Sequence, residues 1–138
     1  MDQTVFINLP ITDMKKARAF YSAIGFAFDE HFCDEKTACV VISETIFLMI
    51  MTREKFAGFA TLPVCNPKKE TGVLIALSRD SRAAVDAITQ AALDAGGAEP
   101  KEPKDMGFMY SRTFTDPDGN VFEPMWMDFD AAPAAPDD

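Results

Sequence analysis

Several things are scarce in this chain, and each scarcity excludes something. Basic residues are few: 13 Lys and Arg face 22 Asp and Glu, a net charge of -9 with a pI near 4.5. Phosphate-backbone binding relies on clustered cations that release counterions, so nucleic acid is not an expected partner. No apolar run approaches the roughly 20 residues of a membrane-spanning helix, and no membrane partner is expected. The start, MDQTVFINLP, lacks both a basic region and a small-residue cleavage site, so it does not read as a secretory signal. Cysteine is limited to Cys33, Cys39 and Cys65. An odd number without a C-x-x-C pair reads as reduced thiols, mostly small apolar fillers, in a cytoplasmic protein. Histidine occurs once, as His31 in the acidic stretch DEHFCDE. Its spacing directs it to no chemistry, and it reads as a surface side chain.

What is present suits one ordinary soluble domain. The 138 residues are 48% hydrophobic and 25% charged, enough to bury roughly two-thirds of the surface an unfolded chain exposes. TVFINLPI reads as a strand. Asp13 then caps a helix through DMKKARAFYSAIG, where Ala17, Phe20, Tyr21 and Ile24 recur at helical spacing. FAFDEHF, KTACVVIS and TIFLMIMT follow as β-rich runs, and REKFAGFATLPVCNPKKE as a proline-bounded loop.

The order then repeats. GVLIALS is a strand, and SRAAVDAITQAALDAGG is a helix with Val85, Ile88 and Ala92 on one stripe. AEPKEPK, GFMYSRTFTD and NVFEPMWMD are extended, the last two joined by the turn Asp116-Pro117-Asp118-Gly119. Strand, helix and three strands thus occur twice, offset by about 68 residues. That offset sets Phe6 against Leu74 and the cap Asp13 against the cap Ser81. The expected fold is α+β: two βαβββ modules, about 1–60 and 70–128, forming a curved mixed sheet around a cavity with helices outside. The tail FDAAPAAPDD, 129–138, is expected to be disordered.

Alternation assigns the faces. Val5, Ile7 and Leu9 cover the helices, as do Val73, Ile75 and Leu77. Phe6 and Asn8 line the hollow with Leu74, and the same alternation adds Ile46, Leu48 and Ile50, then Val121, Glu123 and Met125. The hollow is therefore mostly apolar, with Asn8 and Glu123 as its polar members, the composition of a small-molecule pocket. Met106, Phe108 and Met109, and Met125, Trp126 and Met127, form soft clusters that read as core or dimer contact.

INLPITDMKKARAFYSAIGF at the start, the doubled strand-helix-strand order and FTDPDGNVFEPMWMD at the end resemble the vicinal oxygen chelate superfamily. That superfamily includes the glyoxalases, extradiol dioxygenases, and bleomycin- and fosfomycin-resistance proteins, and its members carry a D-P-x-G-x-x-x-E pattern. The resemblance implies paired modules, a homodimer and a divalent metal held by His or Glu from the first and fourth strands of each repeat. Matched residue by residue, those positions are Phe6, Leu48, Leu74 and Glu123, of which only Glu123 can donate. A single carboxylate rarely holds a transition metal, and the Asn8 amide does not complete a shell. No metal or other cofactor is expected.

Glu123 then has three readings: a structural acid held by Asn8 or a backbone donor, a ligand-binding acid, or a general base raised by desolvation. A base would need a second group to stabilise developing charge. Tyr110 and Arg112, on alternate positions of one strand, are the candidates, but Arg112 reads as a solvated charge and Tyr110 equally as a pocket wall or a core aromatic. The ligand-binding set expected from sequence is Phe6, Asn8, Leu48, Leu74, Tyr110, Glu123 and Met125. The function these imply is metal-free binding or sequestration of a small organic molecule, like the bleomycin-resistance proteins. The alternative is a divergent glyoxalase-like lyase, isomerase or dioxygenase using Glu123 as base or ligand; whether the chain catalyses anything stays open at this level.

Overall fold

The computed structural model describes residues 2–131. Of the expected disordered tail, 132–138 lie outside the described residues, while 129–131 form a turn. The chain runs β1 (Val5–Ile11), α1 (Met14–Ala23), β2 (Ala27–Phe28), β3 (Thr37–Val41), β4 (Ile46–Thr52) and α2 (Arg53–Phe59). It continues through β5 (Leu74–Ser78), α3 (Arg82–Asp94), β6 (Lys104–Asp105), β7 (Met109–Ser111), β8 (Phe114–Thr115) and β9 (Val121–Met127).

The strands make two sheets, ordered β1-β4-β3-β2 and β5-β9-β7-β6, with β8 also on β9. In each, the first strand of a module lies parallel to its last, β1 on β4 and β5 on β9. The α+β class and the doubled βαβββ order are as expected. The equivalent caps also hold: Asp13 accepts from the Lys16 amide and Ser81 from the Ala84 amide, both at 3.1 Å. Each satisfies one of the amides that a helix start leaves unpaired.

Two expectations change. REKFAGF is helical rather than loop, because Thr52, the last residue of β4, turns out of the sheet and its hydroxyl accepts from the Lys55 amide. FAFDEHF yields only the two-residue β2 and then a single 3-10 turn at Glu30–Phe32, which carries the exposed His31.

β7 and β8 are one strand with an interruption. Their pairs with β9, Ser111 with Met125 and Phe114 with Phe122, share one register. Between them Arg112 faces Pro124, accepted by the Pro124 carbonyl at 3.2 Å. Proline has no N–H to return the bond, so the ladder breaks there.

One apolar cluster joins the modules. Phe20 and Tyr21 of α1 meet Phe114 and Phe122 of the second sheet, Phe20–Phe114 at 6.3 Å and Tyr21–Phe122 at 5.9 Å between ring centroids. All four are fully buried, and each such side chain contributes about 1.5–3 kcal/mol by leaving water. Gly97 makes the approach of α3 to β8 feasible, since a Cβ there would lie 2.2 Å from the Thr115 carbonyl oxygen.

Candidate functional site

The β1–β4 register decides which side chains face inward. Ile7 pairs with Leu48, which pairs in turn with Val40, and Asn8 pairs with Met49, which pairs with Cys39. Leu48 is therefore on the core face, fully buried with Ile50 and Val40. The assignment of Leu48 to the hollow is corrected: Met49 holds that place. Period-two alternation was right for each strand, but the β4 phase was read one residue out, and a one-residue slip exchanges the faces. Phe6 and Phe47, beside this row, stack with centroids 5.1 Å apart.

Helix α2 folds back over this inner face. Between them lies a hollow of about 510 Å³ lined by Asn8, Thr37, Met49, Met51, Lys55, Phe56, Phe59 and Ala60. A second, smaller cavity of about 230 Å³ continues past Asn8 and Phe56 to the module junction at Val73, Gly119 and Val121. Asn8 and Phe56 belong to both. Together they give the walls of a small-molecule pocket, apolar surface with a few polar groups.

On the second sheet Leu74 pairs with Val121, Ala76 with Glu123 and Ser78 with Met125. Leu74, Glu123 and Met125 thus share the inner face, Leu74 exposed and the other two half-buried. No side chain or amide of the described residues donates to the Glu123 carboxylate, so the reading of Glu123 as an acid held by Asn8 does not stand. Asn8 is on the other sheet.

Tyr110 is corrected as well. It pairs with Trp126 on the opposite face, where its hydroxyl donates to Asp86 of α3 at 2.6 Å. Arg112 beside it is not a solvated charge. It binds Glu99 through two 2.8 Å bonds and Asp86 through one at 3.0 Å. Below them Arg82 grips Asp105 at 2.8 and 3.0 Å and lies over the rings of Tyr110 and Trp126. The hydrogen bonds from Arg112 hold the Glu99 carboxyl below its ordinary range, Tyr110 and Arg112 do so for Asp86, and Arg82 brings Asp105 to about 2. This ladder clamps α3 to its sheet and lines neither of the two cavities beside Asn8.

Internal symmetry locates the positions equivalent to Leu74 and Glu123. Asn8 pairs with Met49 as Ala76 pairs with Glu123, so the counterparts are Phe6 and Met49. Phenyl, thioether, isobutyl and one carboxylate are not a shell for a divalent ion, whose sites need three or more N, O or thiolate donors. Among the described residues no group of three or more His, Cys, Asp or Glu could hold a metal. The donor set does not fit the group.

Against known proteins, residues 3–123 match the family profile described as the Glyoxalase/Bleomycin resistance protein/Dioxygenase superfamily. The chain belongs to this superfamily.

Solved structures agree in fold. A hypothetical protein from S. aureus is 25% identical, with TM-score 0.77 over 91% of this chain and 95% of that one. A glyoxalase/bleomycin resistance protein/dioxygenase family enzyme from Burkholderia phytofirmans PsJN is 20% identical, TM-score 0.74, over 91% and 99%. TnmS3, an antibiotic binding protein from Streptomyces sp. CB03234, is 22% identical, TM-score 0.63, over 92% and 97%. A search of curated proteins finds no match.

In this superfamily member the D-P-D-G-N turn is a clasp between modules. Asp116, 2% exposed, accepts from the Tyr21 hydroxyl, the Asn120 side chain and the Asp118 and Asn120 amides at 2.8–2.9 Å. Asn120 also donates to the Pro10 carbonyl at 3.1 Å, and Asp118 accepts from the Thr12 amide and hydroxyl. Burial pushes the Asp116 carboxyl above its ordinary range, against the pull of those donors.

The side chains that sequence reading missed are Met49, Lys55, Phe56 and Phe59. A signal existed: Thr52 as cap, then Phe56 and Phe59 three apart on one face. No helix of the described residues is long and apolar enough to cross a membrane.

Proposed function

We propose that this protein binds a small, largely apolar organic molecule without a metal, in the hollow between the inner face of β4 and helix α2. The observation that carries the reading is the lining itself. Met49, Met51, Phe56 and Phe59 present adaptable, polarisable surface around about 510 Å³, and thioethers and rings accommodate irregular apolar ligands. The oily side chains Phe6, Met49 and Leu74 at three of the four symmetry-related positions point the same way. TnmS3, described as an antibiotic binding protein, lends support by analogy, and a sequestering role would be of that type.

The protein works in the cytoplasm as a homodimer in this reading. Val5, Phe6, Val73 and Leu74 support the second part, being 45–59% exposed on the starts of β1 and β5. A partner surface would remove them from water.

A second reading rests on one observation: Glu123 is half-buried on the inner face of the second sheet and has no donor among the described residues. Such an acid is available to a ligand hydroxyl or amine, or as a base in a lyase or isomerase. A thermal-shift screen of metabolites and antibiotics, in chelator and then with nickel, zinc, manganese and iron, tests both. A stabilising ligand in chelator supports binding, because native-state binding raises apparent stability. Turnover abolished by Glu123→Gln supports the enzyme reading instead.

A further inference from the structure

Among the described residues the hollow holds one cation, Lys55, and its setting says what kind of ligand it selects. Lys55 projects from α2 with a third of its side chain exposed. Its ammonium donates to the Oγ1 of Thr37, a residue 5% exposed on β3. It stands 3.7 Å from Oδ2 of Asp34, an ion pair too long for a hydrogen bond. An ammonium carries three N–H donors, and Thr37 takes one. Around it Met49, Met51, Phe56 and Phe59 accept weakly, and Asn8, the other polar side chain of the lining besides Thr37, makes no hydrogen bond to Lys55 among the described residues.

Lys55 also borders an outer groove with Asp34, Glu35, Lys36 and Glu54. Three carboxylates against two ammonium groups leave this groove negative on balance, on a chain of net charge -9. An anion is repelled before it reaches the ammonium, whereas a neutral molecule is not. An oxygen acceptor on a neutral ligand, placed against Lys55 while its rings cover the methionines, gains a charge-assisted hydrogen bond.

We infer that Lys55 is the specificity-determining residue of the hollow, selecting neutral aromatic ligands that bear a carbonyl-type acceptor oxygen. The inference rests on the proposed reading of the hollow as a binding site.

Three probes of one shape separate the possibilities: fluorene, 9-fluorenone and fluorene-9-carboxylate, titrated by calorimetry into the full chain in chelator. Fluorenone is expected to bind about tenfold more tightly than fluorene, the value of one charge-assisted hydrogen bond, and the carboxylate more weakly than fluorenone. Lys55→Met should erase the preference for fluorenone, bringing the ratio of the fluorene and fluorenone affinities within the variant to about one. Lys55→Gln, which keeps a weaker donor, should retain part of it and serves if the first variant does not fold. Equal affinity for fluorene and fluorenone in the unmodified protein, or a preference that survives Lys55→Met, overturns the role of Lys55 while the hollow remains a site. Tighter binding of the carboxylate overturns the neutral class. Failure of all three probes to bind overturns the ligand class inferred from Lys55, whereas the hollow itself falls only if the ligands that stabilise the protein in chelator do so equally in Met49→Asp.

Discussion

The hydroxyl of Tyr21 donates to Oδ2 of Asp116 at 2.8 Å, tying the first helix of one module to the turn before the last strand of the other. Both are buried, so this contact fixes how the two sheets sit and thereby where loop 60–73 can close over Asn8. Tyr21→Phe should cost about 1–2 kcal/mol in urea unfolding, a lost buried hydrogen bond with its partner still served by Asn120. Asp116→Ala should cost more, because it strands the Tyr21 hydroxyl and the Asn120 amide together.

The same carboxyl has a pH signature. Its folded pKa is raised by burial, so its proton is held more tightly in the native state than in the unfolded one. That contribution to stability is complete below the ordinary value of 3.8 and is lost as pH rises through the raised one. Asp116→Asn should remove this component. A denaturation series from pH 4 to 7 should show the variant's stability rising relative to the parent across that range.

Arg112 and Arg82 act with the opposite sign. They lower Glu99, Asp86 and Asp105, the last to about 2. Depressed carboxyls contribute stability above their unfolded values, near 4.5 and 3.8, and lose it as pH falls through the folded ones. Arg112→Leu should cost on the order of 1 kcal/mol near neutrality and flatten the acid limb below about pH 4.5, where Glu99 and Asp86 take up protons, while leaving the Asp105 step, held by Arg82, in place. Chemical denaturation at stepped pH would read both.

Leu48 and Met49 are neighbours with opposite duties. Leu48→Ala empties a fully buried position and should cost about 2–5 kcal/mol. Met49→Asp places a charge on a half-buried inner surface; it should leave the fold cooperative and abolish ligand-induced stabilisation. Thermal melts with and without ligand distinguish the two effects.

Gly119 combines a φ of 98° with a Cβ position 2.8 Å from the Pro67 carbonyl. Gly119→Ala incurs the left-handed penalty of about 1–2 kcal/mol and pushes loop 60–73 away. Limited proteolysis should then cut near Pro67 faster than in the parent, and ligand affinity should fall.

Much of the architecture was legible because it repeats. Asp13 and Ser81 cap equivalent helices, Phe6 and Leu74 open equivalent strands, and the apolar stripe Val85, Ile88, Ala92 buries as its spacing says. The site was less legible. Its floor depends on the phase of β4, and IFLMIMT is apolar at almost every position, so alternation alone cannot choose between Leu48 and Met49. Pairing with β1 chooses. Tyr110 misled for a related reason: GFMYSRTF presents polar groups on both faces, and only Asp86 on α3 shows which side the phenol takes. Helix α2 is short with prolines downstream, so its local signal, the Thr52 cap and the Phe56–Phe59 spacing, is weak, and its packing on β1 and β4 supplies what a short helix lacks alone.

The most direct test follows the methionine methyl groups. With ¹³C-methyl methionine and chelator present, titration with 9-fluorenone should shift Met49 and Met51 selectively and leave Met109, Met125 and Met127 in place. Shifts confined to Met125 and its neighbours by Glu123, or shifts that appear only when a divalent metal is added, would contradict a metal-free site between β4 and α2.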